Sequence, residues 1–145
     1  MKNKKVLSLI FFLIFVLWVA PKLLYFFSPE YKISNTIKLL QLNTFTNENI
    51  SLPEEDIKDF KSILNYIIEH ELTNTEFIVL PGMIIKDVNG EKKEGFMTNV
   101  EAFKYGTNGQ LLEHHYGKLF FETKRGNLLF WEVADMEIIT DIKKD

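Results

Sequence analysis

Apolar and polar positions alternate in three distinct rhythms along this chain, and each rhythm predicts a different kind of element. The first is no alternation at all. From Val6 to Ala20 only Ser8 is polar, and after Pro21-Lys22 the apolar run resumes through Phe27. Val6 to Ala20 alone would reach about 22 Å as a helix, short of a bilayer core of roughly 30 Å, whereas Val6 to Phe27 reaches about 33 Å. The sequence therefore predicts a transmembrane helix over 6–27, with Lys22 snorkelling towards the headgroups. A cleaved signal peptide would need small residues at −3 and −1. Cutting after Ala20 puts Trp18 at −3 and cutting after Ser28 puts Phe26 there, so an uncleaved signal anchor is the expectation.

The second rhythm is helical. Ile57, Phe60, Ile63, Leu64, Ile67, Ile68 and Leu72 recur at three- and four-residue steps, with Asp56, Lys58, Asp59, Lys61, Asn65 and Glu69 facing away. Ser51-Leu52-Pro53-Glu54 reads as a capping box with Ser51 as N-cap, and Glu55 and Asp56 suit the positive end of the helix dipole.

The third rhythm is that of strands. Phe77 to Leu80 and Met83 to Val88 are β-rich, and Pro81-Gly82 between them predicts a bulge or an edge strand. Asn89-Gly90 is a strong hairpin signal leading into Gly95 to Tyr105. Turns at Gly106-Thr107-Asn108-Gly109 and Lys124-Arg125-Gly126-Asn127 then separate Gln110 to Thr123 from Leu128 to Asp141. Thr36 to Asn43 is also read as a strand, with Thr44 to Asn49 turning it back towards Ile50. The expected fold is α+β: an N-terminal transmembrane helix, then one small domain in which an amphipathic helix packs on a twisted antiparallel sheet, in the order hairpin, helix, four-stranded meander. The expected organisation is a cytoplasmic N-terminus over 1–5, the span over 6–27, a short tether over 28–35 and an extracytoplasmic domain over 36–145.

Orientation follows from charge. Lys2, Lys4 and Lys5 precede the span, while only Lys22 near its far end and Lys32 just beyond it balance them, which favours a cytoplasmic N-terminus in a cell membrane. Residues 28–145 then carry 13 basic against 20 acidic side chains, a net charge of −7. Such a domain repels nucleic acid and anionic lipid, so neither is expected as a partner; the acidity serves solubility and would also attract a basic peptide, a cationic protein or a metal ion. The absence of cysteine excludes lipoprotein anchoring, disulfides and thiolate metal sites. Sixteen lysines to one arginine, with many Asn, Ile and Phe, suggest an AT-rich bacterial genome.

Catalytic chemistry has little to stand on. There is no GxSxG, SxxK or HExxH spacing. Glu113-His114-His115-Tyr116 invites a metal, but adjacent strand residues point to opposite faces, so only Glu113 and His115 can share one, with His70 as a distant third. No catalytic residue, metal ligand or cofactor is assigned; a membrane-anchored hydrolase or metal-dependent enzyme using Glu113 and His115 is the alternative. Large apolar groups fall on both faces of the last two strands: Phe120 opposes Leu119 and Phe121, and Leu128 and Phe130 oppose Leu129, Trp131 and Val133. One helix covers one face, so either the sheet curls or an aromatic surface remains. Phe120, Phe130 and Trp131 are the candidate binding surface, and the expected function is non-catalytic binding of an envelope protein or exported peptide, as an accessory subunit or an immunity-type interceptor.

Overall fold

The computed structural model describes residues 2–43, 50–126 and 130–145. Three helices and a five-stranded antiparallel open sheet make one α+β domain with an apolar N-terminal helix. Helix α1 runs from Lys2 to Phe26, and its stretch Val6–Phe26 is long and apolar enough to cross a membrane, with none of it buried against the rest of the chain. Near its end Lys22 Nζ lies 3.8 Å from the centre of the Trp18 ring, a polar head held over an aromatic face.

Ser28 and Pro29 end one helix and begin another. Helix α2 spans Pro29–Leu42; Ser28 Oγ accepts the Tyr31 N–H at 3.2 Å as its N-cap, and Pro29 takes the first helical position, where no N–H is needed. The expected tether over 28–35 is thus the first half of α2, and the strand expected over Thr36 to Asn43 is its second half. The correction has a physical cause. Ile33, Thr36, Ile37 and Leu40 are all buried, a helical stripe that begins three residues before the window in which a strand was read. Asn43, in the left-handed region at φ 52°, closes the helix with its N–H turned back to the Leu39 and Leu40 carbonyls. The expected turn over Thr44 to Asn49 lies outside the described residues.

Helix α3 spans Glu54–Glu69. Pro53 is its N-cap, without a side-chain cap bond, so the Ser51 capping box does not form. Pro53 holds Leu52 in extended backbone, which delays the helix by two residues. The buried stripe is Asp56, Phe60, Ile63 and Ile67. Ile68, expected on that stripe, is exposed, being about 100° round the helix from Ile67. Asp56, expected in solvent, is buried.

Strands β1 (Asn74–Val79) and β2 (Ile84–Val88) lie end to end along the same side of β3 (Glu91–Tyr105), which pairs with β4 (Leu111–Arg125), which pairs with β5 (Trp131–Lys144). The register runs from Val79 opposite Thr98 to Asn74 opposite Phe103 for β1, and from Ile84 opposite Gly95 to Val88 opposite Glu91 for β2. Pro81-Gly82 makes the break between them on an edge, as the sequence predicts, and Asn89 and Gly90 take the positive φ values of a tight hairpin turn. Bulges near Lys104, Lys118 and Glu122 bend the long strands.

Helices α2 and α3 cover one sheet face. Ile33, Ile37, Leu40, Phe60, Ile63 and Ile67 meet Phe96, Val100, Leu119, Phe121, Val133 and Met136 there, and Phe60 stacks on Phe77 at 5.3 Å.

Candidate functional site

The aromatic surplus of the last strands divides between the two faces. Phe120 is only 2% exposed. Its ring lies over Gly95, where an added Cβ would come within 2.7 Å of Phe120 Cζ, and Lys86 Nζ reaches across it at 5.7 Å from the ring centre. A glycine in the neighbouring strand leaves the hollow that the ring fills, so Phe120 belongs to packing and not to an exposed surface.

Phe130 and Trp131 are brought together elsewhere. They stand at the entry to β5, Phe130 just before its first residue Trp131, and both line a cavity of about 300 Å³. The opposite wall comes from the helical junction: Phe26 and Phe27 from the end of α1, Ser28 from the cap, Tyr31, Lys32 and Asn35 from α2. Phe27 meets Phe130 with ring centres 5.7 Å apart, and Phe26 meets Tyr31 at 4.8 Å. Phe130 remains 52% exposed, and the Arg125 guanidinium lies 5.1 Å from the Trp131 ring centre. Lys32 and Glu132 give this mouth one charge of each sign. Its chemistry is therefore that of an aromatic recess interleaved with polar groups, suited to holding a side chain or short segment of another molecule. Phe26, Phe27 and Tyr31 were not expected in a site; their adjacency to the break at Ser28-Pro29 is the one sign in the sequence that they return to the domain. Leu128 and Leu129, whose facing was also expected to matter, lie outside the described residues.

Glu113 and His115 do share a face, and His114 takes the other, as strand geometry requires. His114 stacks on Phe103 at 4.8 Å and pairs through Nδ1 with Asp145 at 2.8 Å. His115 is 1% exposed, with Tyr66 Oη 3.0 Å from its Nδ1 and Glu113 Oε2 3.0 Å from its Nε2. With Glu113 ionised, Nε2 donates to the carboxylate and Nδ1 accepts from the Tyr66 hydroxyl. The hydrogen bond from His115, joined by Lys144, holds the Glu113 carboxyl below its usual range. His70 is near, its ring stacked on Tyr66 at 3.9 Å and 5.6 Å from that of His115, but its Nδ1 is bonded to the Tyr66 carbonyl oxygen. Both nitrogens of His115 are committed and the ring is enclosed, so the chain Tyr66–His115–Glu113 ties helix α3 to β4. Among the described residues no group of three or more His, Asp or Glu side chains is arranged to hold a metal ion.

A third constellation was missed altogether. Asp56 Oδ2 accepts the Met136 N–H at 2.9 Å, and Asp56 also shares a hydrogen bond with Asp135. Burial, reinforced by the neighbouring Asp135, pushes Asp56 up to about 6. Burial acts on Asp135 in the same direction, but hydrogen bonds from Lys93 and Asp56 outweigh it and hold that carboxyl below its ordinary range. Lys93 bridges Asp135 and, at 3.3 Å, the buried Glu122, and its own ammonium is held charged well above the usual lysine range by Asp135. The one available signal was position: Asp56 lies four residues before Phe60, on the stripe itself.

The chain matches no protein-family model, no curated protein and no solved structure.

Proposed function

We propose that this chain is a single-pass membrane protein whose extracytoplasmic domain works by binding, as an accessory subunit of an envelope complex or as an interceptor of an incoming protein, and not by catalysis. The observation that carries the reading is the aromatic recess at the junction of α1, α2 and β5, where Phe130 stays half exposed beside Trp131. Exposed aromatics in a recess interleaved with polar groups are what interface hot spots are made of. The lysines ahead of the span support a cytoplasmic N-terminus and an exported domain. The net charge of −7 over residues 28–145 favours a partner of basic or neutral character, an envelope protein or an exported peptide.

The test is crosslinking of the tagged full-length chain in native membranes, followed by identification of what co-purifies. One reproducible partner is expected, and Phe130→Ala or Trp131→Ala should remove it while circular dichroism stays unchanged. Recovery of the chain alone from a folded, abundant preparation would overturn the reading.

A further inference from the structure

The nine residues from Phe77 to Ile85 carry no charge, and they form the corner where edge strand β1 gives way to β2. Phe77 and Val79 pack against the core. Met83 and Ile85 do not: they stand 49% and 61% exposed, with Ile78 and Ile84 also uncovered. Pro81 lacks an N–H and Gly82 turns the chain at φ 103°, so the corner offers apolar side chains and a broken edge, a poor template for another strand.

Its place decides what covers it. Val79 and Pro81 share a cavity of about 490 Å³ with Leu24 and Tyr25, the last turn of α1, and with Ser28. On the other side of the same junction Phe27 meets Phe130. The apolar corner and the entry to β5 therefore flank the point where the membrane-length helix meets the domain. Charge is divided in the same way. Residues 81–95 carry three basic and three acidic side chains, whereas residues 28–80 carry four basic and nine acidic. The corner and its hairpin thus carry no net charge of their own to oppose an anionic lipid surface, and Glu30 is the acidic side chain that lines the cavity beside them.

We propose that the β1–β2 corner is a second membrane contact, in which Met83 and Ile85 enter the interfacial layer of the bilayer that α1 crosses. This rests on α1 being a membrane anchor. The bilayer is the occupant because the anchor brings it within reach of the corner at every moment, at an effective concentration no diffusing protein matches. Apolar groups at that depth exchange water for the headgroup–acyl boundary, as interfacial helices do.

The chain has no cysteine, so a single introduced thiol can carry an environment-sensitive fluorophore. Full-length chains bearing Ile85→Cys or, as reference, Asn108→Cys are reconstituted into vesicles of phosphatidylethanolamine and phosphatidylglycerol. Asn108 lies in the β3–β4 turn, about 30 Å along β3 from the corner. Lipids brominated near the headgroup end of the acyl chain should quench the label at 85 several-fold more than the label at 108. Equally weak quenching at both, in chains that resist alkaline carbonate extraction, overturns the corner contact and leaves the anchor standing. Release of the chain by carbonate overturns both. Met83→Asp, with the label kept at 85, should at least halve the quenching while the thermal midpoint holds; undiminished quenching would show that the contact does not run through the corner.

Discussion

Asp56 gives the most quantitative handle on this fold. It is 8% exposed in the first turn of α3, with one oxygen on the Met136 N–H and a hydrogen bond to Asp135, whose charge Lys93 holds in place. Its carboxyl is raised from 3.8 to about 6. The folded state therefore binds a proton at Asp56 more tightly than the unfolded state does. The stability this adds is fully present below about pH 4 and is lost as pH rises through about 6. A shift of about two units corresponds to about 3 kcal/mol, a large share of a small domain's total. Asp135, lowered in the fold, works the other way: it adds stability above its unfolded value and gives it up as pH falls below about 4, so the two carboxyls act in separable windows. Asp56→Asn keeps an acceptor for Met136 and a donor for Asp135 but has nothing to titrate. It should flatten the pH profile between about 4 and 7 and make the protein more stable than its parent at neutral pH, by up to about 3 kcal/mol. Asp56→Ala should also flatten the profile but lose about 1–3 kcal/mol, because the Met136 N–H is left buried without a partner. Urea unfolding in detergent, followed by near-ultraviolet circular dichroism, measures all three. A parent midpoint that is level across that window, or an Asn variant that keeps the parent's slope, would refute the reasoning.

Gly95→Ala would place a Cβ 2.1 Å from the Phe121 carbonyl oxygen and 2.7 Å from Phe120 Cζ, so a loss of about 3 kcal/mol or more is expected, because backbone must move; a thermal midpoint within a degree or two of the parent would contradict it. Phe60→Ala, at a fully buried ring stacked on Phe77, should cost about 3–5 kcal/mol, while Ile68→Ala on the exposed side of the same helix should cost less than about 0.5; comparable losses in denaturant titrations would reverse our placing of the stripe. Tyr66→Phe leaves His115 Nδ1 enclosed without its hydroxyl partner and should cost about 1–2 kcal/mol, read from the same unfolding curves; no loss would mean that another donor reaches the ring.

Local chemistry explains what was legible in advance. The apolar run of α1, the hairpin at Asn89-Gly90, the edge break at Pro81-Gly82 and most of the α3 stripe depend on neighbours a few residues away, and all are found as expected. Helix α2 escaped the reading because its stripe begins at Ile33, three residues before the window read as a strand, and that window alone is too short to show the helical period. Asp56 and Met136 are 80 positions apart, and no local pattern announces that a carboxylate will be buried to receive a backbone N–H from so far away. Phe120 shows the limit of alternation: the pleat says that it opposes Phe121, but only the glycine across the sheet decides that both faces are filled. The aromatic recess was half visible. Phe130 and Trp131 stand out as surplus in the sequence, while Phe26 and Phe27 read only as the end of the apolar run, because hydropathy does not distinguish the last turn of such a helix from the first wall of a cavity.

Only Phe27 and Ser28 separate α1 from α2, and α2 is not a leash but a part of the core, seated by Ile33, Ile37 and Leu40. The domain is therefore mounted on α1 like a blade on a shaft. A change in the tilt or rotation of α1 becomes torque on the sheet, and a load applied at the aromatic recess is passed back into α1 with little slack to absorb it. A ligand held there would be presented at a set distance and bearing from α1, and a chain cut after Ser28 would lose its helix cap and a wall of the recess together with that helix.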